Sequence, residues 1–183
     1  LNISTVIHLP IYVLAAVLAP WLVSLYFGAA WTPHIAIFQV LCGLIIVFAW
    51  MNPVESLLLA KGKIQWQLFL YLLMAPFLAG AIWIGSRYGL IWSTAAIVLV
   101  QFAFTILAYI IFLKNLLPGS QKRLIKAVGQ PVLLTFVSFI LASPLFLFQM
   151  EIIGGILFLV VYSLLTIRYN TEFMTFTKAI LKR

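Results

Sequence analysis

The chain has 183 residues, of which 66% are hydrophobic and 8% charged, with a formal net charge of +8. Soluble domains run ~45–50% apolar and ~25% charged, so a water-soluble globule is excluded, and so apolar a chain would not stay solvated as a disordered one. The eleven Lys and Arg residues lie between or after apolar runs, which reads as membrane-flanking charge and not as a nucleic-acid-binding face.

A membrane-crossing helix needs ~20 mostly apolar residues, because the hydrocarbon core is ~30 Å thick and each residue rises ~1.5 Å. Six stretches meet or approach that length. They are continuously apolar, so they predict helices; barrel strands would alternate and be about half as long. The first, 3–27, carries no charge. The chain starts at Leu1 and its first basic residue is Lys61, so the start is not a signal peptide. We expect an internal or C-terminal fragment of a longer protein. The second stretch, 33–60, follows a turn containing Trp31. The third, 64–84, follows Lys61-Gly62-Lys63. The fourth, 90–113, follows Gly85-Ser86-Arg87-Tyr88-Gly89.

The fifth stretch, 128–148, follows a segment with Lys114, Lys122, Arg123 and Lys126. There Pro118-Gly119 signals a turn, and Ser120 is a plausible cap for a short cytoplasmic helix. The sixth, 152–167, has only 16 uncharged residues and can span if Glu151 and Arg168 reach toward the headgroups. In the tail, 170–183, Phe173, Phe176, Thr177 and Ile180 share a helical face with Lys178 and Lys182 off it. That spacing fits a short helix on the inner membrane surface, capped by Thr171 with Glu172 in its first turn. The expected architecture is all-α: a polytopic bundle of about six spans over 1–169 and an amphipathic tail over 170–183.

Six spans alternate sides. Ten basic residues then fall on one side and one, Arg87, on the other. Basic residues stay on the cytoplasmic side during insertion, so both ends are expected in the cytoplasm and the 85–89 loop outside. Tyr26, Phe27, Trp31, Tyr88 and Trp92 then sit at the outer lipid–water boundary, where such rings anchor.

Enzyme motifs are missing. Ala60-Lys61-Gly62-Lys63 is not a phosphate loop, and no Gly-x-Ser-x-Gly elbow occurs. Cys42 is the single cysteine, there is no aspartate, and Glu55, Glu151 and Glu172 are far apart. His8 and His34 have no partner at metal-ligand spacing, so no cofactor or metal is implied. The unusual position is the second span, where Asn52, Pro53 and Glu55 interrupt an apolar run. Pro53 should free the Ala49 carbonyl and bend the helix. Glu55 lies six residues before Lys61, ~9 Å along the axis, in the inner leaflet. A carboxylate facing lipid costs ~2.5–3.5 kcal/mol at mid-span and less near the surface. Asn52, Pro53 and Glu55 are therefore candidates for a hinge and polar cavity wall; the alternative is a glutamate reaching cytoplasmic water. Lys61 and Lys63 are candidates for contact with an anionic headgroup, against a purely topological role. Arg87 is a candidate outer gate, against a solvated loop charge. Ala15 and Ala19, Ala75 and Ala79, and Ala81 and Gly85 are small pairs that allow close helix approach. Pro76, Pro131 and Pro144 interrupt or start further helices, as in transporters.

The stretch from Pro20 through Phe27-Gly28, Trp31, Ala36, Gln39-Val40-Leu41 and Leu59-Ala60-Lys61-Gly62-Lys63 resembles the polysaccharide repeat-unit flippases. These belong to the multidrug, oligosaccharidyl-lipid and polysaccharide exporter superfamily. In that family the pattern is a helix, a short outer turn, and a helix closed by a small-residue–Gly–basic signature. Tyr88-Gly89-Leu90 is similar to the family's next outer turn, although Ile91-Trp92-Ser93 stand where it often has a second Gly and a small residue. The resemblance implies the last six helices of a longer transporter in the bacterial inner membrane, whose N-terminal lobe would supply half the cavity. Its partners would be the bilayer and a polyisoprenyl-diphosphate-linked oligosaccharide, moved by alternating access. A multidrug exporter of the same superfamily would need acidic cation sites, which are scarce here. The membrane domain of a lipid-linked glycan enzyme would need acidic or histidine-rich loops.

Overall fold

The computed structural model describes residues 2–113, 121–147, 150–170 and 173–175. No strand occurs among them. The helices are α1 (Asn2–Val17), α2 (Ala19–Phe27), a 3₁₀ turn (Ala29–His34), α3 (Ile35–Ala60), α4 (Ile64–Ser86) and α5 (Leu90–Ala108). A π-helical turn (Tyr109–Leu113) closes α5, and α6 (Gln121–Leu147) and α7 (Glu151–Tyr169) follow. Five helices are long and apolar enough to cross a membrane, or six if the pair flanking Leu18 is one span. Only 17–28% of each such span is buried among the described residues, so most of its apolar surface is not covered by them. The segments around Lys114, Pro118-Gly119 and Ser120, together with Thr171, Glu172 and 176–183, lie outside the described residues.

Contacts divide the chain into two units, Leu1–Leu18 with Lys122–Arg183, and Ala19–Gln121. The expected continuous helix over 3–27 is broken at Leu18. Pro20 accounts for this: it lacks the amide that would serve the Ala16 carbonyl one turn earlier. A new helix starts at Ala19, with Pro20 in the first turn, where no donor is required. The sixth span is longer than expected. It runs through Arg168 to Tyr169, and its spanning part, Ile152–Tyr169, has 18 residues.

In the first unit, Pro10 lies inside α1 and cannot serve the carbonyl of Val6 one turn earlier. Tyr162 of α7 donates its hydroxyl to that carbonyl at 2.9 Å, and both residues are buried. Val6, Tyr162 and Leu134 of α6 form the core there, with Leu165 and Phe173 packed against it. Gln130 of α6 donates to the Tyr169 carbonyl at the end of α7. The Asn170 side chain accepts from the Phe173 amide at 3.0 Å, the bond of a helix N-cap. Phe173 packs against this core.

In the second unit, α3, α4 and α5 share a core of Met51, Val54 and Leu58, Leu70 and Met74, and Phe104, Ala108 and Phe112. The α3–α4 connection is set by Gly62, whose φ of 65° is left-handed. The Lys63 amide reaches back to the Leu58 carbonyl at 2.8 Å and the Gly62 amide to Leu59 at 3.0 Å. This is a Schellman cap, and it gives the Ala60-Lys61-Gly62-Lys63 signature a backbone reason. The α4–α5 connection is set by Gly85, where an added Cβ would lie 2.5 Å from the Ser93 Cα. Of the small pairs, Ala81 and Gly85 thus include a true close approach, whereas Ala75 and Ala79 are exposed.

Two outcomes are expected in detergent unfolding. Tyr162→Phe should cost about 1 kcal/mol by leaving a buried carbonyl unserved. In a Pro10→Ala background the restored amide serves Val6, so the cost should largely vanish; equal cost in both backgrounds would refute the assignment. Gly85→Ala should destabilise by about 1–3 kcal/mol through backbone overlap. Gly80→Ala, on the same helix but with nothing within 4 Å of the added carbon, should not.

Candidate functional site

The site grows from the last three turns of α3. Met51, Val54 and Leu58 recur at helical spacing and are buried in the core. Asn52, Ser56 and Leu59 fall on the opposite face and are exposed, with Glu55 half-buried at the margin. The Ser56 hydroxyl donates to the Asn52 carbonyl at 2.9 Å. A strip of α3 with two polar side chains and a carboxylate is thus turned outward at membrane depth. That is the reverse of what hydrocarbon favours.

Glu55 meets a neutral donor. The Tyr71 hydroxyl of α4 donates to its Oε1. Tyr71 sits two turns after the Schellman cap, so the tight α3–α4 turn places the two residues side by side. Gln67, one turn earlier on α4, also lies within hydrogen-bond reach of the Tyr71 side chain. The sequence reading missed Tyr71. The available signal was Gln67 and Tyr71 at a spacing of four in an otherwise apolar span, but only the hairpin shows that this face meets Glu55.

Pro53 lies inside α3, which runs through it as one helix. The backbone just before it is served from α5: the Tyr109 hydroxyl donates to the Trp50 carbonyl. Tyr109 opens the π-helical turn, a local widening that re-aims side chains and is frequent at functional sites. Trp50 and Phe102 pack beside it, ring centroids 6.4 Å apart. Sequence spacing did not reveal this contact, because a π turn breaks the periodicity from which a helical face is read.

The remaining candidates lie elsewhere. Lys61 and Lys63 flank Gly62 in the cap and are exposed, beside the exposed Trp66. Trp66 packs edge-on against Phe112 at 6.2 Å. Arg87 follows the far end of α4, ~36 Å from Lys63 along the helix. Its guanidinium lies 4.0 Å above the Trp83 ring, a cation–π contact. The structure therefore brings Glu55 together with Tyr71, keeps Asn52 and Pro53 within the same turn of α3, sets Lys61 and Lys63 about two turns further on, and leaves Arg87 at the far end of α4. Among the described residues no group of three His, Cys, Asp or Glu could hold a metal ion.

No family model matches this chain, and no solved structure matches it. Over 150 residues, 79% of its length, the chain is 29% identical to the lipopolysaccharide biosynthesis protein WzxC of Escherichia coli K12. That match spans 30% of WzxC, so this chain covers less than a third of its relative. The chain is an all-α, multi-pass membrane protein similar over most of its own length to part of a lipopolysaccharide biosynthesis protein.

Proposed function

We propose that this chain is part of a transporter that moves lipid-linked oligosaccharide repeat units across the bacterial inner membrane by alternating access. Both of its ends lie in the cytoplasm in this reading. Its role is translocation rather than catalysis. The similarity to WzxC and the resemblance of Pro20 to Lys63 to the repeat-unit flippases support the substrate class.

The observation that carries the reading is Glu55 on the outward strip of α3, held by Tyr71. A lipid-facing carboxylate costs ~2.5–3.5 kcal/mol at mid-span and less toward the surface, and an interhelical hydrogen bond in a membrane returns only ~0.6–1.7 kcal/mol. A hydrophilic environment removes the cost at any depth, so in this reading Glu55 faces an aqueous path. Asn52, Glu55, Ser56 and Tyr71 offer that path the hydroxyl, amide and carboxylate groups that sugar hydroxyls bind. Pro53 supplies the bend around which such a wall rocks. Lys61 and Lys63 stand at the cytoplasmic mouth, where a diphosphate headgroup would arrive, and Arg87 closes the outer end as a gate.

The test is complementation of a strain lacking its own exporter, with the full-length protein at matched membrane levels. Glu55→Gln is expected to lower export roughly tenfold, equal to ~1.4 kcal/mol of lost stabilisation along the path. Wild-type export by Glu55→Gln would leave the glutamate as a water-reaching side chain and remove the site. Tyr71→Phe is expected to act more weakly. Loss of ~0.6 kcal/mol corresponds to roughly a threefold decrease, and no decrease would show that Tyr71 does not hold the carboxylate.

A further inference from the structure

Three helices of the second unit are interrupted at nearly one height. Pro53 removes one rung from the hydrogen-bond ladder of α3, between residues 49 and 53. Pro76 does the same in α4, between residues 72 and 76. Measured along the axes from Gly62, in the turn that joins the two helices, the first gap begins ~14 Å away and the second ~15 Å away. The two gaps therefore stand level, as the Tyr71–Glu55 contact just below them requires. On α5 the ring pairs give the matching height. Phe102 meets Trp50 at 6.4 Å, Phe104 meets Phe77 at 5.5 Å, and Phe112 meets Trp66 at 6.2 Å. Between Phe104 and Phe112 the winding of α5 changes from α to π, at Tyr109. The Tyr109 hydroxyl reaches up to the Trp50 carbonyl, inside the α3 gap. A side chain inserted into a helix ladder is itself a cause of bending.

Packing repeats the division. On the Gly62 side, Leu58, Leu70 and Phe112 share the core, Trp66 packs on Phe112, and Tyr71 donates to Glu55. On the Gly85 side, Phe77 meets Phe104, Trp50 meets Phe102, and Gly85 lies against the Ser93 backbone. Two core side chains lie within the gaps themselves, Met51 in α3 and Met74 in α4. Methionine is unbranched with three rotatable bonds and fills irregular space, so it repacks where Leu or Phe would resist. The core is thus softest at the height where the ladders are weakest.

We propose that this plane is a hinge built into three helices. The Gly62 end, residues 54–71 with 109–113, tilts as one body against the rest of α3, α4 and α5. Met51 and Met74 repack as it tilts, and the Tyr109–Trp50 hydrogen bond is the latch that holds the present arrangement. The inference deepens the bend assigned to Pro53: it gives that bend two partner helices, a latch, and a moving body that carries Lys61 and Lys63. It rests on that reading for its use in transport and on the packing alone for the motion.

Spin labels at the exposed Gln65, on the moving end, and the exposed Leu99, on the other side, test it. The full-length protein, freed of its other cysteines and held in nanodiscs, is measured by pulsed electron–electron double resonance. A kink of ~20° over the ~14 Å from the α4 gap to Gln65 moves the label by ~5 Å. The wild type is expected to show a main distance and a minor one separated by that shift. Tyr109→Phe removes only the latching oxygen and should raise the ratio of minor to main roughly threefold, the loss of one interhelical hydrogen bond. Pro53→Ala with Pro76→Ala restores both rungs and should suppress the minor distance. Labels at the exposed Phe48 and Tyr88, both on the Gly85 side, should give one distance throughout. A single Gln65–Leu99 distance in both the wild type and Tyr109→Phe overturns the hinge. A minor distance undiminished by the two alanines also overturns it, because the gaps would then not carry the bend. So does an equal change in the Phe48–Tyr88 pair, which would mean loosening of the whole unit. Wild-type export by Glu55→Gln leaves these distances untouched, and a rigid Gln65–Leu99 distance leaves the Glu55 site standing, so the two readings fail separately.

Discussion

In a bilayer no water serves a main-chain group that loses its helical partner, and this chain carries prolines inside most of its long helices. The structure meets that constraint with hydroxyls. The Val6 carbonyl, orphaned by Pro10, accepts from Tyr162. The Ile140 carbonyl, four residues before Pro144, accepts from Ser143 at 2.7 Å. Ser143 acts locally and Tyr162 across helices, so at Pro10 the repair of a proline also becomes a tertiary contact between two helices. The Tyr109 hydroxyl adds a second interhelical bond, to the Trp50 carbonyl of α3.

Against that background Glu55 stands apart. Thr105 of α5 and Ser138 of α6 are buried and bond within their own helices, to the Gln101 and Leu134 carbonyls. They are the ordinary means by which an apolar helix hides a hydroxyl. Glu55 has no carbonyl to donate to as a carboxylate and no cation on its face. Its single described partner, Tyr71, restores less than burial in lipid removes. The imbalance is the ground for the role proposed for the α3–α4 edge. It also explains why a tight turn matters there: the Schellman cap at Gly62 fixes the register in which Tyr71 reaches Glu55.

Much was legible in the residues alone. The apolar runs located the spans to within a few residues, because hydrophobic length is a local property and the membrane sets its scale. Gly62 and the basic pair beside it announced a helix end, and the depth of Glu55 followed from helical rise. Two expectations failed for local reasons that were nearly readable. Pro20 broke the first run at Leu18, and Arg168 was carried inside the last helix rather than ending it.

The amino-acid sequence by itself determined that this chain is a set of apolar helices long enough to cross a membrane, and where most of them begin and end. All of these follow from composition and from hydrogen bonds between residues four apart. The tertiary structure alone decided which faces meet. It brought Tyr71 to Glu55, Tyr109 through a π turn to Trp50, and Tyr162 to a carbonyl 156 residues away. It also left an apolar cleft lined from α2, the 3₁₀ turn and α3. An apolar helix has little preference for any side in hydrocarbon, so its partners are chosen by close packing and by scattered polar groups, and those preferences leave no period in the sequence.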